Sequence, residues 1–290
     1  MLLSIYFQTH PFLFVALMII VGLVIGSFLN VVIYRLPIMM ERSWREQCES
    51  LFGDQQINNK TVTQPFNLVW PRSCCPHCGK LITALNNIPV ISYLILRGKC
   101  KNCGEPISMR YPVVEIMCGA LTGINAVYFG FHFEVIFACM FTWALISLSF
   151  IDLEHQLLPD DITLPFLWLG IICNMFNLFT DIYSSVIGVI AGYGLLWIVF
   201  ISFKFLTGKE GMGYGDFKLT AMLGAWLGWQ LLPLIIFLSS IAGAISGICL
   251  ILFADHDRKI PIPFGPFLAI AGWVTLIWGP EITRYYLAMI

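Results

Sequence analysis

The sequence predicts an all-α polytopic membrane protein of about eight transmembrane helices, with a small zinc-binding cytoplasmic domain inserted after the first helix. Three observations carry this prediction. The 290 residues are 58% hydrophobic and only 11% charged, with mean hydropathy +0.82, whereas about a quarter of a soluble domain is charged. Apolar stretches recur at lengths near the roughly 20 residues that cross a bilayer. Two Cys-x-x-Cys pairs lie together in the one long polar loop. The net charge of -1 says little about partners, because in such a chain the placement of charge matters more than its sum. Nothing in the composition points to nucleic acid.

Taken in order, the first apolar run extends from Pro11 to Tyr34. No Lys or Arg precedes it and no small-residue cleavage site follows, so it reads as a retained span rather than a secretory signal. The polar stretch from Met39 to Gln64, which carries Cys48, reads as a flexible insertion. Further apolar stretches fall at 112–130, 134–151, 162–180, 184–206, 217–229, 231–253 and 262–279. The segment 217–229 is short and glycine-rich, which fits a tilted or partly re-entrant element. Cys118, Cys139, Cys173 and Cys249 fall within spans, where cysteine usually serves as a small packing residue.

Of the sixteen Lys and Arg, ten lie from Arg35 to Arg110. Lys204, Lys209, Lys218, Arg258 and Lys259 flank connections that eight alternating spans put on the same side, and only Arg284 falls opposite. The positive-inside rule therefore predicts a cytoplasmic loop 36–110 and periplasmic termini.

Within that loop, Cys75-Pro-His-Cys78-Gly and Cys100-Lys-Asn-Cys103-Gly form two knuckles. Their spacing suits four thiolates around one zinc, with glycines for the tight turns. A reducing cytoplasm disfavours the competing reading, disulfides. A filled four-thiolate shell implies a structural metal, since a catalytic zinc keeps a position open. Cys74 and His77 adjoin the ligands and read as bystanders.

Two carboxylates stand out. Asp152 follows the apolar run Ala144 to Ile151, so it would sit at a helix C-terminus, where a negative charge opposes the macrodipole. Asp216 lies in Gly211-Met-Gly-Tyr-Gly-Asp-Phe217, behind three glycines that permit close backbone approach. Asp160 and Asp161 read as helix-start residues. Ionisable groups at membrane depth are costly and mark function. If Asp152 and Asp216 meet, repulsion makes them share a proton, one acting as base toward water and the other as acid toward a scissile carbonyl. That is aspartyl protease chemistry. A proton-coupled transporter with a regulatory zinc domain is the alternative, but the absence of a convincing repeat and the placement of both carboxylates at one edge disfavour it.

The combined pattern resembles the type IV prepilin peptidase family, whose members are bifunctional leader peptidases and N-methyltransferases. The resemblance rests on Gly26-Ser-Phe-Leu-Asn-Val-Val-Ile-Tyr-Arg-Leu-Pro37, the paired knuckles, Asn86-Asn-Ile-Pro-Val-Ile-Ser-Tyr93, Arg110-Tyr-Pro-Val-Val-Glu115 and the two aspartate segments. It implies Asp152 and Asp216 as the catalytic pair and a bacterial inner-membrane location. It also implies prepilins or pseudopilins as substrates, cut after a glycine and then methylated with S-adenosylmethionine. Membrane lipid is the other implied partner, and no oligomeric state is fixed. No glycine-rich nucleotide loop appears in 36–110. For the methyl-transfer site the resemblance therefore offers Gly98, with Asn86, Asn87 and Glu115 as neighbours, although Gly98 reads equally as a turn residue. The expected division is a first helix over 1–35, a zinc-binding domain tied to methyl transfer over 36–110, and a membrane-embedded peptidase domain over 111–290.

Overall fold

The computed structural model describes residues 2–52, 66–209, 211–253 and 262–289, and its regular elements there are all helical. They are α1 (Leu2–Thr9), α2 (Pro11–Phe52), α3 (Ile91–Ile95), α4 (Arg110–Phe129), α5 (Glu134–His155), α6 (Asp160–Met175), α7 (Ile182–Thr207), α8 (Tyr214–Leu227), α9 (Leu232–Phe253) and α10 (Gly265–Met289). Each of the eight apolar stretches falls on a helix. Among the described residues five helices are long and apolar enough to cross a membrane: α2, α4, α5, α7, and α9 with the 3-10 turn before it. The chain is a multi-pass membrane protein.

One expectation fails. The polar residues Met39 to Phe52 are not a flexible insertion but the continuation of α2, a helix of 42 residues. Glu41 and Arg45, one turn apart, pair on its exposed face, and Glu, Arg, Gln and Met are good helix formers. The rest of that insertion, 53–64, lies outside the described residues.

Contacts divide the chain into two units, Met1–Val127 and Tyr128–Ile290. In the first unit, α2 and α4 cross on small residues. A Cβ on Gly22 would lie 2.8 Å from the Cys118 carbonyl oxygen, and one on Gly26 would lie 2.8 Å from the Glu115 Cα. Gly119 and Gly123 answer from α4 by packing under Leu23 and Ile19. Small residues four apart let membrane helices approach backbone to backbone.

The second unit is built around α8, whose residues are buried from Asp216 through Leu227 apart from Lys218. It is apolar nearly all round, as a helix enclosed by other helices must be. Gly188 on α7 and Gly224 on α8 meet through their backbones, and a Cβ on Gly192 would lie 2.6 Å from the Thr220 carbonyl oxygen. The far end of α8 is tied down by polar side chains. Asn174 Nδ2 donates to the Ala225 and Trp226 carbonyls at 2.8 and 3.1 Å, and its Oδ1 accepts from Phe179 and Thr180 N–H. Ser185 donates to Ala225 O, and Trp226 Nε1 donates to Phe166 O. The bonds to Ala225 and Trp226 satisfy carbonyls that a helix end leaves without partners. They fix α8 rigidly and leave its N-terminus to present Asp216.

Candidate active site

Asp152 lies in the last turn of α5, as its sequence position predicts, and is 5% exposed. The helix ends just beyond it, with Gln156 in the left-handed conformation and its N–H on the Asp152 carbonyl. The carboxylate Oδ2 accepts the Gly265 N–H at 3.0 Å. Gly265 is the first residue of α10, so the misplacement of a negative charge at the end of α5 is offset by the positive N-terminal end of another helix. A Cβ on Gly265 would stand 2.6 Å from that oxygen. Only glycine leaves room for the carboxylate.

Asp216 sits in the first turn of α8, 7% exposed, with Gly213 as the N-cap. The Leu158 side chain links the two carboxylate segments, 2.8 Å from a Cβ on Gly215 beside Asp216 and 3.2 Å from one on Gly265 beside Asp152. The glycines before Asp216 have separate causes. A Cβ on Gly215 would meet the Leu158 side chain at 2.8 Å, and one on Gly211 would meet the Phe203 ring at 2.8 Å. Gly213 has room, since its Cβ would lie 3.8 Å from Asp216 Oδ2. Close approach thus brings α8 against the turn before α6, which contains Leu158. Asp160 is held elsewhere: Lys218 Nζ donates to both of its carboxylate oxygens, at 2.8 and 2.7 Å. Asp161 is exposed at the start of α6. The arrangement offers two buried carboxylates on rigid helix ends, one oriented by a backbone N–H.

In the first unit the sulfurs of Cys75, Cys78, Cys100 and Cys103 all lie within 4.8 Å of one another. Cys75 Sγ and Cys103 Sγ are 3.8 Å apart, far beyond a disulfide bond and close to the edge of a tetrahedron whose metal–sulfur bonds are about 2.3 Å. The two knuckles repeat one design. Gly79 N–H bonds Cys75 O and Gly104 N–H bonds Cys100 O, while Cys75 and Cys100 N–H bond Lys80 O and Glu105 O. Gly79 and Gly104 take φ 68 and 75, the left-handed region that glycine enters without cost. The Cys103 and Asn102 N–H groups hold the Cys100 thiol down to about 6. Although the Glu105 N–H favours its thiolate, Cys103 is pushed up to about 12 by desolvation and by the three neighbouring sulfurs. A dication bound by the four sulfurs would displace their protons.

The residues proposed for methyl transfer are less concentrated. Gly98 has φ 68, and a Cβ there would meet Tyr93 Oη at 2.8 Å; its N–H and carbonyl bond Tyr93 O and Ile107 N. That is the geometry of a turn leading into the second knuckle. Asn86 and Asn87 close a short 3-10 turn, Ala84–Asn87. Glu115 is buried and accepts the Val90 N–H at 2.8 Å.

Two family models match the chain: the bacterial peptidase A24 N-terminal domain over residues 20–129 and the type IV leader peptidase family over 139–248. Among relatives, a prepilin leader peptidase/N-methyltransferase of Aeromonas hydrophila is 52% identical over 96% of this chain and 95% of its own. One of the same name from Pseudomonas aeruginosa is 50% identical over 97% and 96%, and one from Legionella pneumophila is 46% identical over 92% of each. The chain belongs to the type IV prepilin peptidase family. No solved structure matches it. The relatives lend no support to the transporter alternative.

For a type IV prepilin peptidase, the first model spans the four cysteines and the second spans both aspartates, but Gly265 lies beyond either. Gly265 is a site residue that sequence reasoning missed. Its signal, Phe264-Gly265-Pro266, marks a helix start but says nothing of which carboxylate it faces. Arg35 was also missed. It is buried in α2 and its guanidinium donates to the carbonyls of Asn67, Leu68 and Pro71, which anchors the segment leading into the first knuckle.

Proposed function

We propose that this protein removes the leader peptide of type IV prepilins or pseudopilins at the cytoplasmic face of a bacterial inner membrane and methylates the amino terminus it exposes. The observation that carries the peptidase half is the pair Asp152 and Asp216, both buried on helix ends that pack against the same Leu158 side chain, with Asp152 bonded by the Gly265 N–H. In this reading one carboxylate takes a proton from water as it attacks the carbonyl of the glycine that precedes the cut. The protonated partner hydrogen-bonds the carbonyl oxygen and then supplies a proton to the leaving amine. The Gly265 N–H orients Asp152 throughout.

The four thiols would hold a structural zinc that stabilises the 36–110 domain, placed in the cytoplasm by the charge bias. The sulfur spacing supports this metal. S-adenosylmethionine would supply the methyl group in a part of the chain separate from the aspartates, within 36–110 and the start of α4. Eight spans, with both termini periplasmic, complete the topology.

Co-expression with a prepilin and measurement of the pilin mass tests both halves together. Loss of the leader plus one methyl group is the expected product. An uncut pilin, with the protein present in the membrane, would refute the peptidase reading.

A further inference from the structure

Where α2 crosses α4, two buried acceptors stand without the donor and the cation that their surroundings call for. Asn30 is 2% exposed. Its Nδ2 donates to the carbonyls of Gly26 and Tyr111 at 3.3 and 3.1 Å. Two carbonyl partners settle the orientation of the amide, because turning it over would set oxygen against oxygen. Its Oδ1 therefore points away from both, buried and without a hydrogen-bond partner. Such orphans are rare in native proteins, and each calls for an explanation.

One helical turn away, Gly26 lets the backbone of α4 come close, and there Glu115 is 8% exposed. It accepts the Val90 N–H through Oε2 at 2.8 Å. Neither of the ion pairs Arg45–Glu41 and Lys218–Asp160 involves it, and its hydrogen-bond partner is the Val90 N–H. A carboxylate has about four acceptor positions, so most of them remain open. A buried carboxylate without a cation is costly. The turn that supplies its donor is itself strained: Val90 holds φ 60, ψ -48, which a β-branched residue rarely adopts. The site is thus fixed from α2, from α4 and from the turn at Val90.

We propose that Asn30 Oδ1 and Glu115 together bind a primary ammonium group. An ammonium brings three N–H donors and one positive charge, which meets both deficits at once. A water would supply Asn30 and leave Glu115 without its cation. This inference rests on the methyl-transfer reading, whose reaction offers two primary ammonium groups: the new amino terminus of the cut pilin and the amino-acid end of S-adenosylmethionine.

The test is equilibrium binding to the purified full chain in detergent, with two pairs of probes. The first pair is an apolar peptide with phenylalanine at a free amino terminus and the same peptide N-acetylated. The second is S-adenosylmethionine and methylthioadenosine, which lacks the amino-acid end. Glu115→Gln keeps the shape and the bond to Val90 but removes the charge. It should weaken one ammonium-bearing probe by roughly ten- to hundredfold, the scale of losing a charge-assisted hydrogen bond, and leave the ammonium-free member of that pair unchanged. The pair that responds identifies the source. If Glu115→Gln unfolds, Asn30→Ala carries the same comparison, because it removes the other acceptor of the site.

Unchanged binding of both ammonium-bearing probes, or equal losses within each pair, would overturn the site. Pilin mass from cells with the unaltered protein separates the two failures. If that pilin is methylated while binding is indifferent to Glu115, only the ammonium site falls. If it is cut and never methylated, the methyl-transfer reading falls and the inference with it.

Discussion

At the scale of single residues, Asp152 and Asp216 depend on different supports, and substitutions should separate them. Asp152→Asn or Asp216→Asn keeps the shape and loses the exchangeable proton. Each should slow leader removal by about a hundredfold to ten-thousandfold, the usual worth of positioned acid–base groups, with the protein still at normal abundance in the membrane. Near-normal cleavage by either variant would rule out the pair. Asp160→Asn is the control, because its bond to Lys218 is partly exposed; such pairs contribute roughly 0–1 kcal/mol, and cleavage should persist. Gly265→Ala should resemble the aspartate variants more than an ordinary helix-end change, since its methyl would push on Asp152 Oδ2. Cleavage rate at equal protein level decides, and an active Gly265→Ala enzyme would free Asp152 from that N–H. The aspartates were legible because charge is conspicuous in apolar sequence. Gly265 was not, because nothing local records a bond between residues 113 positions apart.

At the scale of elements, the two knuckles were legible in full, since Cys-x-x-Cys-Gly encodes both ligands and turn. The purified protein should carry one zinc per chain. Because thiolates bind the metal and thiols do not, occupancy should fall as pH drops, with protons displacing the ion. Elemental analysis across a pH series checks this, and a metal-free protein purified without chelator would exclude the zinc. Gly98→Val should also lower zinc retention, by forcing a β-branched residue to φ 68 and against Tyr93; a strained backbone of this kind costs on the order of 1–3 kcal/mol. Zinc retained at the level of the unaltered protein would return Gly98 to a role in cofactor binding. The long extension of α2 was misread for an instructive reason. Its polarity was taken as looseness, yet Met39 to Phe52 contains no Gly or Pro and has a charge pair one turn apart. Polarity there marks the end of the apolar surroundings and leaves the helix intact.

At the scale of the whole molecule, topology follows from charge bias alone and needs its own measurement. Cys48 is exposed on the α2 extension. A membrane-impermeant maleimide should label it in inside-out vesicles and spare it in right-side-out ones; the reverse pattern would invert the proposed topology and put the aspartates on the wrong side for a cytoplasmic leader. The bond from Gly265 to Asp152 also bears on how far this fold can be shortened. A chain stopped at Phe253 would retain both aspartates, the clasped end of α8 and the whole span of the leader peptidase family match. It would still leave one carboxylate facing the tail of its own helix with nothing opposite. If the proposed pair is the catalytic one, the smallest autonomous peptidase extends past residue 265, and α10 would serve the chemistry as well as anchor the chain.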